Sequence, residues 1–229
     1  MKKLSVAVFA AFLASSFVCS ALRDDWAQFE HYAASNSELS QIPSDRRVVF
    51  FGNSITEIWG WTDPDFFDKN EFVDRGICGQ STYQFLSRFR RDVIELKPVA
   101  VVINAATNDI AENTHPYNED ITMGNIMSMV ELAQANGIEV ILTSTLPAGY
   151  FSWNSEIKDG PQKIASLNRR IAALAQEKNI PFVDYYAAMI SADGRNMKAA
   201  YTDDGVHPTA EGYKVMEALI LPVVRRIVP

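Results

Sequence analysis

The chain has 229 residues, 48% of them hydrophobic, which is enough for one sizeable core, and no shift in composition marks a second domain. Its formal net charge of −7 argues against nucleic acid or another polyanion as partner, and the acidity reads as ordinary solubility. It contains no internal repeat and no low-complexity tract.

Residues 1–21 open with Lys2 and Lys3, continue in an apolar run to Val18 and end in Cys19-Ser20-Ala21, the layout of a secretory signal peptide. The run is too short to span a bilayer, and Arg23, Asp24 and Asp25 follow it at once, so export to the periplasm or medium is expected, without stable membrane insertion. Cleavage after this segment takes the net charge from −7 to −9, because it removes Lys2 and Lys3 and no acid. Lipid attachment at Cys19 is the competing reading, but Val18 stands where a small residue is required. With Cys19 removed, Cys78 is alone and cannot form an intramolecular disulfide.

Residues 26–40 carry apolar side chains at loosely helical spacing and predict a lead-in helix of unreadable function. Residues 47–51 then form a β-branched and aromatic run that stops at Gly52, the pattern of a buried strand. Similar runs recur at 71–74, 99–104, 139–145 and 181–184, while amphipathic helical stretches occupy 81–96, 123–136, 161–178 and 209–227. This alternation predicts an α/β domain whose parallel sheet is covered on both faces. Ligands of such sheets bind beyond the carboxyl ends of the strands. There the sequence places Gly52-Asn53-Ser54, residues 76–79, Ala106-Thr107-Asn108-Asp109 and an aromatic stretch from 147 to 153, while 203–207 precede the last helix.

Ser54 follows a strand and a glycine at the expected start of a helix, where backbone N–H groups favour developing negative charge, so it is either a nucleophile or a helix cap. The segment lacks the second glycine of a G-x-S-x-G elbow and the lysine of a P-loop. A serine nucleophile needs a base, and the chain offers only His31, His115 and His207. Asp204 precedes His207 by three residues in a Gly-containing turn ended by Pro208, which can bring the carboxylate to one imidazole nitrogen and leave the other for Ser54. A plain surface turn is the alternative for that segment. His115 is a weaker candidate, and His31 reads as structural. Asn108 offers a side-chain amide and Gly79 an unobstructed backbone N–H to an oxyanion, although either residue also suits an ordinary turn.

Gly52-Asn53-Ser54-Ile55-Thr56, Arg75-Gly76-Ile77-Cys78-Gly79-Gln80-Ser81-Thr82, Ala106-Thr107-Asn108-Asp109 and Asp204-Gly205-Val206-His207-Pro208 resemble, in order, the four blocks of SGNH/GDSL hydrolases. The resemblance implies a flavodoxin-like three-layer sandwich with a five-stranded parallel sheet in the order 2-1-3-4-5, as a single domain over residues 22–229. It implies Ser54 as nucleophile, Asp204 and His207 as the rest of a triad, and the Ser54 N–H, Gly79 and Asn108 as the oxyanion hole, with no metal or cofactor. Asn53 replaces the commoner aspartate, and Ala106 replaces a glycine, which narrows the backbone freedom beside Asn108. Cys78 stands where a small residue is usual and reads as a small buried filler.

Three functions are compatible with these residues. The first is a secreted esterase removing small acyl groups, acetyl above all, from a small-molecule or carbohydrate ester. It is favoured by export, by likeness to acetylesterases and platelet-activating-factor acetylhydrolase subunits, and by the lack of a long apolar insertion. The second is a lysophospholipase or thioesterase with the same catalytic residues. The third is a non-catalytic carbohydrate binder using Trp59, Trp61, Tyr150, Phe151 and Trp153 as stacking platforms, against which the intact catalytic set argues; core or loop packing is the ordinary reading of these aromatics.

Overall fold

The structure is a computed structural model and describes residues 25–228; the expected signal peptide lies outside them. Strands β1 (Val48–Gly52), β2 (Phe72–Gly76), β3 (Ala100–Ile103), β4 (Glu139–Thr143) and β5 (Phe182–Val183) form one parallel sheet in the order β2-β1-β3-β4-β5, as the resemblance implies. The helices are α1 (Ala33–Ser40), α2 (Ser54–Thr62), α3 (Pro64–Asp68), α4 (Thr82–Asp92), α5 (Thr107–Ile110), α6 (Glu119–Ala135), α7 (Gly160–Glu177), α8 (Tyr185–Met189) and α9 (Ala210–Ile227).

Side chains of a strand alternate between faces, and here both faces are covered. Val49 and Phe51 of β1 pack with Phe85 and Phe89 of α4, Met129 and Val130 of α6, and Leu167 and Ile171 of α7. Val48 and Phe50 pack on the other side with Ile55 and Trp59 of α2, Phe66 and Phe67 of α3, and Tyr213, Met216 and Ile220 of α9. Each such side chain contributes about 1.5–3 kcal/mol by leaving water.

The expected lead-in helix over 26–40 is only half helical, since residues 26–32 form turns and the helix begins at Ala33. Asp25 accepts the N–H groups of Phe29 and Glu30 at 2.9 and 3.0 Å and so stabilises the first turn. Helix α6 starts four residues before the expected position, because Asn118 caps Asp120 and Ile121 at 3.0 and 3.2 Å and Glu119 and Asp120 occupy its first turn.

Two of the aromatic residues considered for substrate stacking lie elsewhere. Trp59 is core: it stacks on Phe66 at 5.1 Å and on Tyr213 at 5.5 Å, and it is 2% exposed. Its indole N–H donates to Glu217 at 3.3 Å, which satisfies its one polar atom. Trp61 is exposed near the carboxyl end of α2, seven residues and about 10 Å along the axis from Ser54. Cys78 also departs from expectation, since it is exposed and fills no core space.

Candidate active site

Ser54 is the first residue of α2, and the cap is Asn53, whose side-chain oxygen accepts the Ile55 N–H at 3.0 Å. The Ser54 hydroxyl is therefore free of capping duty. It lies 2.8 Å from His207 Nε2. The end of β2 approaches this helix so closely that a methyl group on Gly76 would sit 2.2 Å from the Glu57 nitrogen and 2.7 Å from the Asn53 carbonyl, so only glycine fits.

His207 Nδ1 lies 2.6 Å from Asp204 Oδ2. The other oxygen of Asp204 accepts the backbone N–H groups of Val206 and His207, both at 2.8 Å, so the turn itself orients the carboxylate. Burial would raise the Asp204 carboxyl, but the His207 side chain and these two N–H groups outweigh it and hold the group at about 2. An ionised carboxylate on Nδ1 keeps the proton there and leaves Nε2 to accept one from Ser54. Asp203 makes no such contact.

Gly79 has φ +76°, in the left-handed region, with open space where a side chain would be. Buried Asn108 donates one amide N–H to the Gln80 carbonyl at 3.0 Å and keeps the second to offer. The block around Asn108 is anchored by Asp109, which accepts the Thr82 N–H at 3.0 Å and the Thr82 and Thr122 hydroxyls at 2.5 and 3.3 Å. Burial pushes the Asp109 carboxyl above its usual range, and these donors act against that. Ala106, in the place of the usual glycine, has φ +82°, a conformation that costs an L-residue about 1–2 kcal/mol. The turn before Asn108 is therefore kept at the cost of backbone strain.

Of the aromatic stretch, Tyr150 lies over Gly205, where an added methyl would meet its ring at 3.2 Å, and Trp153 lies with its ring centroid 6.5 Å from that of His207. Both are about half exposed, while Phe151 is buried. The Trp153 N–H donates to Asn113 Oδ1 at 2.7 Å, and the Asn113 amide donates to the Gly79 carbonyl at 3.3 Å. Asn113 thus joins the aromatic rim to the Gly79 turn, a role no local pattern announces.

The family model for GDSL-like lipases and acylhydrolases matches residues 50–215. The chain belongs to the GDSL-like lipase/acylhydrolase family. It is thus a member of an esterase family, and its blocks around Ser54, Gly79, Asn108 and His207 all fall within the matched region. A Bacteroides fragilis protein of known structure is 60% identical with a TM-score of 0.88, over 90% of this chain and 100% of that one. A GDSL-like lipase from Bacteroides thetaiotaomicron is 57% identical with a TM-score of 0.87, over 88% of this chain and 99% of that one. An acetylxylan esterase of Xylanibacter ruminicola is 23% identical over 227 residues, 82% of this chain but 45% of that protein, so this chain spans less than half of its length.

His115 makes no hydrogen bond with Ser54 or Asp204. Its Nδ1 lies 2.6 Å from the Thr114 hydroxyl, and its ring packs 3.8 Å from that of Tyr83. His31 lies 3.2 Å from Glu57. Although Cys78 is exposed, partial desolvation by the surrounding chain and the nearby Glu57 charge raise its thiol, which makes it a poor nucleophile. Among the described residues, no three His, Cys, Asp or Glu side chains converge as a metal-binding group, and no helix is long and apolar enough to cross a membrane.

Proposed function

We propose that this GDSL-family protein is an exported serine esterase that removes short acyl groups, acetyl above all, from carbohydrate esters. The observation that carries the proposal is the unbroken chain from Ser54 Oγ to His207 Nε2 at 2.8 Å and from His207 Nδ1 to Asp204 at 2.6 Å. In the proposed mechanism, His207 takes the Ser54 proton as the oxygen attacks the ester carbonyl, and Asp204 stabilises the imidazolium. The Ser54 and Gly79 N–H groups and the free Asn108 amide N–H receive the oxyanion. His207 returns its proton to the leaving alcohol, and water hydrolyses the acyl enzyme by the same route.

The acyl group and the alcohol are inferred from the surroundings. Tyr150 and Trp153 give the His207 side of the site an exposed aromatic rim suited to sugar rings, and the acetylxylan esterase relative acts in that chemistry. Export is inferred from the layout of residues 1–21. Turnover of 4-nitrophenyl acetate, butyrate and octanoate tests the acyl preference, with acetylated xylo-oligosaccharides set against acetylated lipids for the alcohol. We expect kcat/KM to fall along the ester series, since each added methylene strains a short pocket. A rise toward octanoate would favour the lysophospholipase or thioesterase reading and leave the catalytic residues unchanged.

A further inference from the structure

The Gly79 turn is held from behind by a side chain that the triad and oxyanion donors leave unused. Glu57 lies one turn after Ser54 on α2 and is buried. Its Oε2 accepts the Cys78 N–H at 2.7 Å, and its Oε1 faces His31 Nε2 at 3.2 Å. Cys78 immediately precedes Gly79, whose φ is +76° and whose only side-chain partner among the described residues is Asn113, on its carbonyl at 3.3 Å. A short hydrogen bond from a backbone N–H to a carboxylate is among the stronger ones available to fix such a turn.

His31 belongs to the turns of residues 26–32, which lie before the region matched by the family, and three more bonds tie that segment to the same place. The Tyr32 hydroxyl donates to the Gly76 carbonyl at 2.5 Å, and the side chains of Gln80 and Gln84 donate to the carbonyls of Ala27 and Trp26 at 2.9 and 2.8 Å. The lead-in segment is thus fastened along the back of the loop that carries Gly79. Glu57, on the helix of Ser54, touches both this segment and the loop.

We infer that Glu57 is a positioning residue for ester hydrolysis: braced by His31, its carboxylate holds the Cys78 N–H and so aims the Gly79 N–H at the developing oxyanion. The inference rests on the oxyanion assignment of Gly79 and Asn108 made above. A misplacement of about 1 Å at a reacting centre costs about 100-fold in rate, so a loosened Gly79 turn should be visible in kcat.

The test measures kcat, KM and melting temperature with 4-nitrophenyl acetate for Glu57→Met, Glu57→Gln, His31→Leu and, as a reference, Asn108→Ala. Methionine keeps the bulk of Glu57 and removes the acceptor, whereas glutamine keeps an oxygen for the Cys78 N–H. Glu57→Met should lower kcat about 10- to 100-fold with KM changed less than about threefold, and it should slow phosphonate inactivation in parallel. Glu57→Gln should recover kcat to within about threefold of the parent. A parent-like kcat in Glu57→Met beside a kcat in Asn108→Ala lowered about 100-fold would overturn the role of Glu57 and leave the oxyanion assignment standing. Parent-like kcat in both would overturn the two together. Should Glu57→Met fail to fold, half-exposed His31 decides: kcat lowered about 3- to 10-fold in His31→Leu supports the brace, and an unchanged kcat overturns it.

Discussion

Replacing Arg88 by methionine removes a guanidinium that is fully buried at the carboxyl ends of β1 and β2. It donates to the Gly52 carbonyl at 2.9 Å, the Arg75 carbonyl at 3.1 Å, Gln80 Oε1 at 2.6 Å and Asp92 Oδ2 at 2.8 Å, and it lies 4.2 Å from the Phe51 ring centroid. Methionine fills much of the volume but satisfies none of these acceptors, and it leaves Asp92 buried with only the Asn36 amide, at 2.7 Å, as a donor. Breaking a buried ion pair by removing one partner costs about 3–5 kcal/mol, a large share of the roughly 5–15 kcal/mol that stabilises an ordinary domain. Urea denaturation should show that loss, and the melting temperature should fall by roughly 6–20 °C. Because Gly52 precedes the Ser54 turn and Gln80 follows Gly79, kcat should fall even at temperatures where the variant is folded. The double variant Arg88→Met/Asp92→Leu should recover part of the stability, since an uncompensated charge no longer remains. A loss below about 1 kcal/mol for Arg88→Met would refute the reasoning, because it would mean that water replaces the guanidinium freely.

Asp74 provides a pH-dependent prediction. Burial, with the Glu57 charge adding to it, raises its carboxyl from 3.8 to about 7 against the hydrogen bond from the Gly76 N–H. Between those values the unfolded chain has lost a proton that the folded chain keeps, so this group makes stability fall as pH rises through that window. Asp74→Asn keeps the acceptor for Gly76, and it should raise the melting temperature more at pH 8 than at pH 5; an equal change at both would contradict the assignment. Asp204→Asn should lower kcat by about 10²- to 10⁴-fold by favouring the wrong imidazole tautomer, while Asp203→Asn stays close to the parent. The reverse order in steady-state kinetics would show that the wrong carboxylate was chosen.

All five strands were legible because a parallel sheet buried on both faces leaves continuous β-branched and aromatic runs, as in residues 47–51 and 99–104. The pairing of His207 with Asp204 was legible because they are three residues apart, so one turn brings them together whatever surrounds it. Which of Asn53 and Ser54 caps the helix was not, since both are good capping residues and only the folded turn selects one. The aromatic spacing of residues 59–67 does not distinguish rim from core, and Trp59 enters the core because Phe50, Phe66 and Tyr213 meet it from distant parts of the chain. Arg88 and Glu57 stayed invisible for the same reason: their partners Gly52 and Cys78 lie 36 and 21 residues away. The strain at Ala106 could be anticipated from the missing glycine alone.

The central claim is that Ser54 is activated by His207, and the most direct measurement is covalent labelling by a serine-directed phosphonate, read by peptide mass spectrometry alongside 4-nitrophenyl acetate turnover. The parent should take up one phosphonate, on Ser54, as activity disappears. Ser54→Ala should fold with an unchanged melting temperature, remain unlabelled and lose nearly all turnover, and His207→Ala should label far more slowly. Parent-like turnover in folded Ser54→Ala, or a label on any other residue that abolishes activity, would contradict it.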